Sequence, residues 1–279
     1  MTHTHPAASM DFEKLLNSAE SRGVCVVSDL HLSPRMPNTL QCFIDFCNST
    51  AHEYSALLII GDLFEYWLGD DTAHHNPAAL RVATALKQLD QAGTRIGFIH
   101  GNRDFLLGTA FARSAHMTLL PDPCVMQILE RTVVFSHGDL LCTNDTGYQR
   151  YRRVAHNRLL QKIFRAAPAS WRNALAQRLR GQSKKTATHT AKDSARLMAQ
   201  DVPNTSAEQW LTQHQAEFII HGHTHRPASH THANGQRWVL PDWECEDRAN
   251  LRWGYVSWKP HESPQLILTP EPHSHPRND

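Results

Sequence analysis

The 279-residue chain contains no apolar run near the length of about 20 residues that a membrane-spanning helix needs. Its first ten residues also lack the basic start and apolar stretch of a signal peptide. Its six cysteines include no CxxC pair, which argues against a disulfide framework or a zinc knuckle. We therefore expect a globular cytoplasmic protein, with a core supplied by its 41% hydrophobic residues.

Acidic residues are absent from residues 146–192, which carry 12 Lys and Arg, while the rest of the chain holds 16 basic and 27 acidic residues. Apolar residues recur at helical spacing in this basic segment: Val154, Leu159, Leu160, Ile163 and Phe164. A charge run is usually a solvated helix face, but the complete absence of acids favours an anionic partner. The few aromatic residues here give base stacking little support, so we expect no nucleic-acid partner. No obligate protein partner is indicated.

Strand and helix patterns alternate over the first 120 residues and become mostly β-like after residue 217. Short apolar or β-branched runs predict strands at 24–28, 56–60, 95–99, 124–129, 132–136, 218–221, 238–240, 253–258 and 265–268. Helical periodicity predicts helices near residues 38–48 and 78–91. These patterns predict an α/β core made of residues 20–146 and 212–270. They also predict a basic helical insert at residues 147–211 and disordered tails at residues 1–19 and 271–279.

Five short polar motifs follow predicted strands, and each contains at least one potential metal ligand. The ligands are Asp29 and His31 in SDLH, Asp62 in GD, Asn102 in GNRD, His137 in SHGD, and His223 and His225 in HGHTH. Strand ends meet at one edge of an α/β sheet, so these side chains should lie together. Oxygen and nitrogen ligands in this mixture suit divalent cations, with Mn²⁺ the first expectation.

Each motif alone is more often structural, because strand-end aspartates cap turns and buried histidines bond to the backbone. Their joint occurrence favours a site for two divalent cations. Other histidines lack the setting of a strand followed by glycine, and we expect them to be solvated: His3, His5, His230, His232, His273 and His275.

In order, the motifs DLH, GD, GNRD, SHGD and GHTH resemble the signature of calcineurin-like metallophosphoesterases over residues 29–225. The resemblance implies a four-layer α/β/β/α sandwich. It also implies one cation on Asp29, His31, Asp62 and His225, and a second on Asp62, Asn102, His137 and His223. Two such cations, about 3.5–4 Å apart, activate water and neutralise phosphoryl charge, so hydrolysis needs no covalent nucleophile.

Arg103 departs from the pattern of many members of that family, which have histidine after the motif asparagine. Arginine stays protonated and cannot give a proton to an alkoxide leaving group, but it can hold phosphate oxygens. A phosphoanhydride is therefore the favoured substrate class, and we expect catalysis to depend on Asp62, Asn102, Arg103 and His137. The simpler alternative is that Arg103 only pairs with Asp104.

Longer segments resemble the UDP-2,3-diacylglucosamine diphosphatase family of the lipid A pathway: GDLFEYWLGDD, HGNRDFLLG, SHGDLLCTNDTGYQRYR and IHGHTHRP. The resemblance implies hydrolysis at the α-phosphorus, an acyl groove in the insert, and peripheral binding to the cytoplasmic face of the inner membrane. It implies substrate contacts by Asn102, Arg103, Asp145, Tyr148, Arg180, Ser183, Lys192 and His223. A soluble nucleotide pyrophosphatase, a dinucleoside polyphosphatase, a nuclease and a scaffold without catalysis are the alternatives.

Overall fold

The computed structural model describes residues 6–155, 157–168, 171, 172, 174 and 201–270. Its helices are α1 (Pro6–Leu16), α2 (Pro37–Ser49), α3 (Pro77–Gln91), α4 (Thr109–Ser114), α5 (Thr146–Ala155), α6 (Arg158–Ala166) and α7 (Asn204–Gln213). Its strands are β1 (Val24–Val27), β2 (Ala56–Ile60), β3 (Arg95–Ile99), β4 (Met117–Leu119), β5 (Cys124–Ile128), β6 (Arg131–Ser136), β7 (Phe218–His221), β8 (Ala228–His232), β9 (Gly235–Val239), β10 (Trp253–Trp258) and β11 (Gln265–Thr269). None of the helices in these ranges has the length and apolar character needed to cross a bilayer.

The strands form two sheets, each with a parallel centre. The first has the order β11-β10-β1-β2-β3-β4, and its strands β1 to β4 run parallel. The second has the order β5-β6-β7-β9-β8, and β6, β7 and β9 run parallel. Val27 pairs with Ile59, which pairs with Phe98, so the carboxyl ends of the first three strands lie side by side.

Alternate residues of β1 face two different cores. Val24 and Val26 pack between the sheets, whereas Cys25 and Val27 pack beneath the helices that cover the first sheet. Because both faces are covered, β1 and β2 are buried throughout, as is usual for parallel strands.

Helix α7 covers the outer face of the second sheet. Its Ala207 and Leu211 pack against Val134 of β6 and Ile219 of β7. The layers are thus helices α2 and α3, the first sheet, the second sheet and α7, which confirms the predicted α/β/β/α sandwich.

The predicted tail at residues 1–19 is wrong for Pro6–Leu16, which form helix α1. Phe12 and Leu16 are buried in the core between the sheets, and this apolar burial holds the helix. Asn17 then donates to Gln127 O and accepts from Leu129 N, which ties the end of the helix to the β5–β6 hairpin.

The bounds of the predicted insert also need correction. Helix α7 runs across the predicted boundary at residue 211. The hydroxyl of Ser206 in this helix forms a hydrogen bond with the hydroxyl of Thr143 in the core. The segment from Val202 onward therefore belongs to the core layer, because its apolar residues pack on the second sheet. Helices α5 and α6 lie within the predicted helical segment, whereas residues 175–200 and 271–279 lie outside the described residues.

Candidate metal centre

All seven predicted ligands come together at the carboxyl ends of five strands. Asp29 and His31 follow β1, Asp62 follows β2, Asn102 follows β3, His137 follows β6, and His223 and His225 follow β7. Two groups have ligand atoms within 4.8 Å of one another: Asp29, His31 and His225, and Asp29, Asp62 and His137. The convergence expected from the strand ends is therefore present.

The backbone at these positions is unusual. Five of the seven residues have a left-handed φ between 50° and 70°: Asp29, His31, Asp62, His223 and His225. This region is strained for residues other than glycine, and such strain collects at functional sites. Backbone bonds support the turns, since Asp29 N donates to Gly61 O at 3.1 Å and His31 N donates to Asp62 O at 2.9 Å.

Two glycines allow the ligands to approach so closely. A Cβ on Gly222 would lie 2.1 Å from Asp29 Oδ2, and a Cβ on Gly61 would lie 2.4 Å from His137 Nδ1. Both distances are far below van der Waals contact, so a side chain at either position would displace a predicted ligand.

The first group surrounds the buried carboxylate of Asp29. Its Oδ1 lies 3.2 Å from His225 Nε2, and its Oδ2 accepts from His223 N at 2.8 Å. Burial alone would raise the pKa of Asp29, but the hydrogen bond with His225 and the nearby imidazoles lower it below the ordinary value. Burial lowers the pKa of His31 to about 3 and that of His223 to about 4, which keeps both imidazoles neutral. Neutral imidazole is the form that binds metal ions.

The second group surrounds His137. Its Nδ1–H donates to Ile60 O at 3.2 Å, which leaves Nε2 as the acceptor that faces the site. Burial opposes protonation of His137, but the carboxylates of Asp62 and Asp29 raise its pKa to about 9. Burial raises the pKa of Asp62 to about 7. The cluster thus attracts positive charge.

The atoms around Asn102 test whether the cluster fits a metal ion. The Asn102 side-chain oxygen lies 2.9 Å from His137 Nε2, and 2.9 and 3.2 Å from the two oxygens of Asp62. With His137 neutral and Asp62 ionised, acceptors face acceptors in this orientation, and a turned amide or a bound cation would reconcile them. His31 Nδ1 is also buried without a hydrogen-bond partner, 3.9 Å from Asp62 Oδ2. The donor set therefore fits a divalent cation that accepts oxygen and imidazole ligands.

Arg103 lies at the rim of this cluster. Its Nε is 3.4 Å from Asp62 Oδ2 and its Nη1 is 3.0 Å from Glu65 Oε1, with 41% of the side chain exposed. Asp104 is instead buried and accepts from Gly101 N at 2.9 Å and Leu63 N at 2.7 Å. The alternative that Arg103 only pairs with Asp104 is therefore wrong.

A cavity of about 410 Å³ opens in front of the cluster. It is lined by Asp62, Asn102, Arg103, Cys142, Asp145, Tyr148, His223, Thr224, His225 and Arg226. Asp145 caps the start of α5 by accepting from Tyr148 N at 2.9 Å. Of the predicted substrate contacts, Asp145 and Tyr148 thus lie on the cavity wall. Arg180, Ser183 and Lys192 lie outside the described residues.

A buried ion network behind His137 was not predicted from the sequence. Arg152 Nε donates to Asp139 Oδ2 at 2.7 Å, and its Nη2 lies 3.1 Å from Asp122 Oδ2. Tyr148 donates its hydroxyl to the same Asp139 oxygen at 2.7 Å, and Ser136 donates to Asp122 at 2.6 Å. Asp139 belongs to the SHGD motif, so its position after a strand was the available signal.

Two more polar residues support the first group. Asp242 Oδ2 lies 3.7 Å from His225 Nδ1, and Arg252 pairs with Asp242. Asp242 follows the apolar end of β9 by three residues, a strand-end setting like that of the ligands. The HxH pair His230 and His232 was expected to be solvated, but it lies in strand β8. The His232 side chain is only 3% exposed, with its Nδ1 3.7 Å from Glu208 Oε1, so the expectation is wrong for His232.

The model of the calcineurin-like phosphoesterase family matches residues 23–227. The chain belongs to this family. It is 45% identical to the UDP-2,3-diacylglucosamine hydrolase of Aeromonas hydrophila over 221 residues, which are 78% of this chain and 89% of that protein. It is 40% identical to the protein of that name from Ralstonia nicotianae over 253 residues, 89% and 92% of the two chains.

The Escherichia coli protein named UDP-2,3-diacylglucosamine hydrolase is 43% identical over 224 residues, 79% of this chain and 90% of its own. Within the phosphoesterases, the chain therefore belongs to the family that carries this name. It is a hydrolase that depends on divalent metal ions, and the ligand groups described above are where such ions fit.

Proposed function

We propose that this chain hydrolyses the diphosphate of UDP-2,3-diacylglucosamine at the α-phosphorus. The products are UMP and 2,3-diacylglucosamine 1-phosphate (lipid X), so the enzyme is a phosphoanhydride hydrolase of lipid A biosynthesis. The gathering of seven potential ligands beside an exposed arginine carries the proposal. The 40–45% identity to relatives named for this substrate supports the choice of phosphoanhydride.

The proposed cofactor is a pair of divalent cations, with Mn²⁺ preferred. The proposed sites are Asp29, His31, Asp62 and His225 for one cation, and Asp62, Asn102, His137 and His223 for the other. When bound, the cations supply an activated water molecule and neutralise charge on the phosphoryl oxygens. The chain itself contributes Asp62. One of its oxygens lies 3.9 Å from His31 Nδ1 and the other lies 3.8 Å from His137 Nε2, which supports a role for Asp62 at both proposed sites.

Arg103 supplies the cationic contact for the diphosphate. Its side chain is already near the cluster, and its pairing with Glu65 is partly exposed and so exchanges easily for phosphate. It holds phosphate oxygens without giving up a proton. When the α-phosphorus is attacked, 2,3-diacylglucosamine 1-phosphate leaves as a phosphate and needs no proton from the enzyme, so an arginine suffices where an alkoxide would need an acid.

The other proposed substrate contacts surround the cavity. Asp145 and Tyr148 would contact the uridine and sugar, together with Asn102 and His223, since all four line the cavity. Arg180, Ser183 and Lys192 are proposed from the sequence resemblance alone to reach phosphate or glucosamine.

The exposed face of α6 supports a lipid substrate. Leu159, Leu160 and Ile163 are 66%, 44% and 60% exposed, beside the basic residues Lys162 and Arg165. An apolar helix face flanked by cations suits acyl chains and anionic headgroups. We therefore propose that the enzyme is cytoplasmic and binds peripherally to the cytoplasmic face of the inner membrane, with no nucleic-acid partner and no obligate protein partner.

A substrate panel tests the proposed reaction. Protein loaded with Mn²⁺ is incubated with UDP-2,3-diacylglucosamine, UDP-glucose, a dinucleoside tetraphosphate and single-stranded DNA, and products are identified by mass spectrometry. We expect efficient turnover of the lipid only, with UMP as product. Equal kcat/KM for UDP-glucose would instead identify a soluble nucleotide pyrophosphatase, and cleavage of DNA would identify a nuclease. Hydrolysis in ¹⁸O-labelled water should place the label in UMP, as attack on the α-phosphorus requires.

A further inference from the structure

The six cysteines divide into two classes. Cys25, Cys47, Cys124 and Cys142 are buried in the cores, whereas Cys42 and Cys245 are partly exposed. All six are free thiols, and the metal centre and the cavity chemistry use none of them. The two accessible thiols therefore differ from the other four in what can reach them.

The two accessible thiols also lie next to each other, although 202 residues separate them in the chain. Cys42 lies on α2, one turn after Thr39, whose hydroxyl accepts from Cys245 N at 3.0 Å. Thr39 N in turn donates to Glu246 Oε1 at 2.9 Å, so the backbone of the loop is held against this face of α2. These two bonds hold Cys245 beside Cys42, and the two thiols are close enough for each to shift the pKa of the other.

We propose that Cys42 and Cys245 are a reversible disulfide site, closed by peroxide and opened by thiols, which weakens metal binding when it closes. The site goes beyond the proposed hydrolysis and does not depend on it. The neighbouring thiols, their accessibility and the backbone bonds that hold loop and helix together are the observations that carry it.

The chemistry assigns different roles to the two sulfurs. The neighbouring Cys245 thiol lowers the pKa of the Cys42 thiol, which makes Cys42 the nucleophile. Its thiolate attacks the O–O bond of peroxide and forms a sulfenic acid, and the departing hydroxide takes a proton to become water. Cys245 then attacks the Cys42 sulfur, and the sulfenic oxygen leaves as a second water. Two thiols and one hydrogen peroxide thus give one disulfide and two waters, and an added dithiol reverses the change.

The loop that carries Cys245 also supports the metal centre. Trp243 N donates to Asp29 O at 3.1 Å, and Asp242 lies beside His225. A covalent bond between the two sulfurs draws this loop toward α2. That shift moves the groups that orient Asp29 and His225, and loss of such supporting contacts typically costs 10- to 100-fold in metal affinity.

The test has one readout for the bond and one for its effect. The full chain is treated with hydrogen peroxide, and peptides are mapped without reduction; Mn²⁺ affinity is measured by calorimetry before and after. We expect a peptide pair linked through Cys42 and Cys245, two hydrogens lighter, and a Mn²⁺ Kd raised about tenfold. Dithiothreitol should restore the original Kd.

Variants separate this site from general oxidation. Cys42→Ser and Cys245→Ser should each lose the linked peptide and keep the Mn²⁺ affinity of the reduced protein after peroxide. Cys124→Ala, which removes a buried thiol, should still form the link. A linked peptide that is missing, or that joins other cysteines, overturns the disulfide site. A link that forms without changing the Kd by more than twofold overturns its effect on metal binding.

Discussion

The metal centre and the first insert helices are held in different ways. The metal centre rests on left-handed turns, backbone hydrogen bonds and glycines that leave no space for a side chain. Helix α5 is held instead by side chains, with Tyr148, Gln149 and Arg152 all bonded to Asp139. Helix α6 leaves its apolar face exposed. The comparison teaches that the chemistry occupies a backbone-defined site, whereas the surface proposed for lipid is adjustable.

The largest expected effect comes from removing a ligand at the backbone-defined site. Asp62→Asn should lower kcat/KM at least about a thousandfold, about 4 kcal/mol of transition-state stabilisation, because both proposed cation sites share this carboxylate. His137→Ala should have a similar effect. Asp90→Asn is the matched control, since Asp90 pairs with Arg95 and His116 away from the cluster. Near-normal turnover by Asp62→Asn would refute the dinuclear site.

The next prediction separates a steric clash from backbone strain. Gly222→Ala should lower Mn²⁺ affinity about 100-fold, because its Cβ would meet Asp29 Oδ2 and displace a proposed ligand. Gly93→Ala is the control: Gly93 has a positive φ of 97°, which Gly222 does not, but the nearest atom to its Cβ is 3.9 Å away. It should cost about 1 kcal/mol of stability and leave metal affinity unchanged. Equal metal affinity in both variants would contradict a packed centre.

The third prediction concerns the side-chain attachment of α5. Arg152→Gln leaves Asp139 and Asp122 without their cation, which should lower stability by about 3 kcal/mol. Tyr148 lies on the same helix and is a proposed substrate contact. Because loosening of α5 would displace Tyr148, KM should rise more than kcat falls. Arg153→Gln, on the exposed side of the same helix, should change thermal stability by less than about 0.5 kcal/mol. Thermal unfolding and steady-state kinetics together check both variants. Equal stability and equal KM in the two variants would argue against the attachment of α5 through Arg152.

The smallest effect on folding is expected at the exposed face of α6. The double change Leu160→Gln and Ile163→Gln should weaken binding to anionic vesicles roughly tenfold and leave the melting temperature nearly unchanged. Leu80→Gln is a matched control, because Leu80 is 52% exposed on α3, outside the basic segment. Sedimentation with vesicles measures the difference. Unchanged binding by the double variant would remove the membrane role from this face.

Local patterns predicted much of the fold. The strands that lead to the five motifs, strand β5 and helices α2 and α3 were predicted from apolar runs and helical periodicity. Helix α1 was missed because the His-rich residues before it resemble a tail, although Phe12, Leu15 and Leu16 lie on one helical face. Strand β8 was missed because its sequence, ASHTH, is polar on an edge strand.

The sequence by itself determined which side chains could bind metal ions and that each would stand at a strand end, because both properties are local. The tertiary structure alone decided which distant residues meet. Arg152 reaches Asp122, Asp242 lies beside His225, and Cys245 is held against the helix that carries Cys42. Such pairs leave no periodic signal in the chain, since they arise only when two sheets and their covering helices pack together.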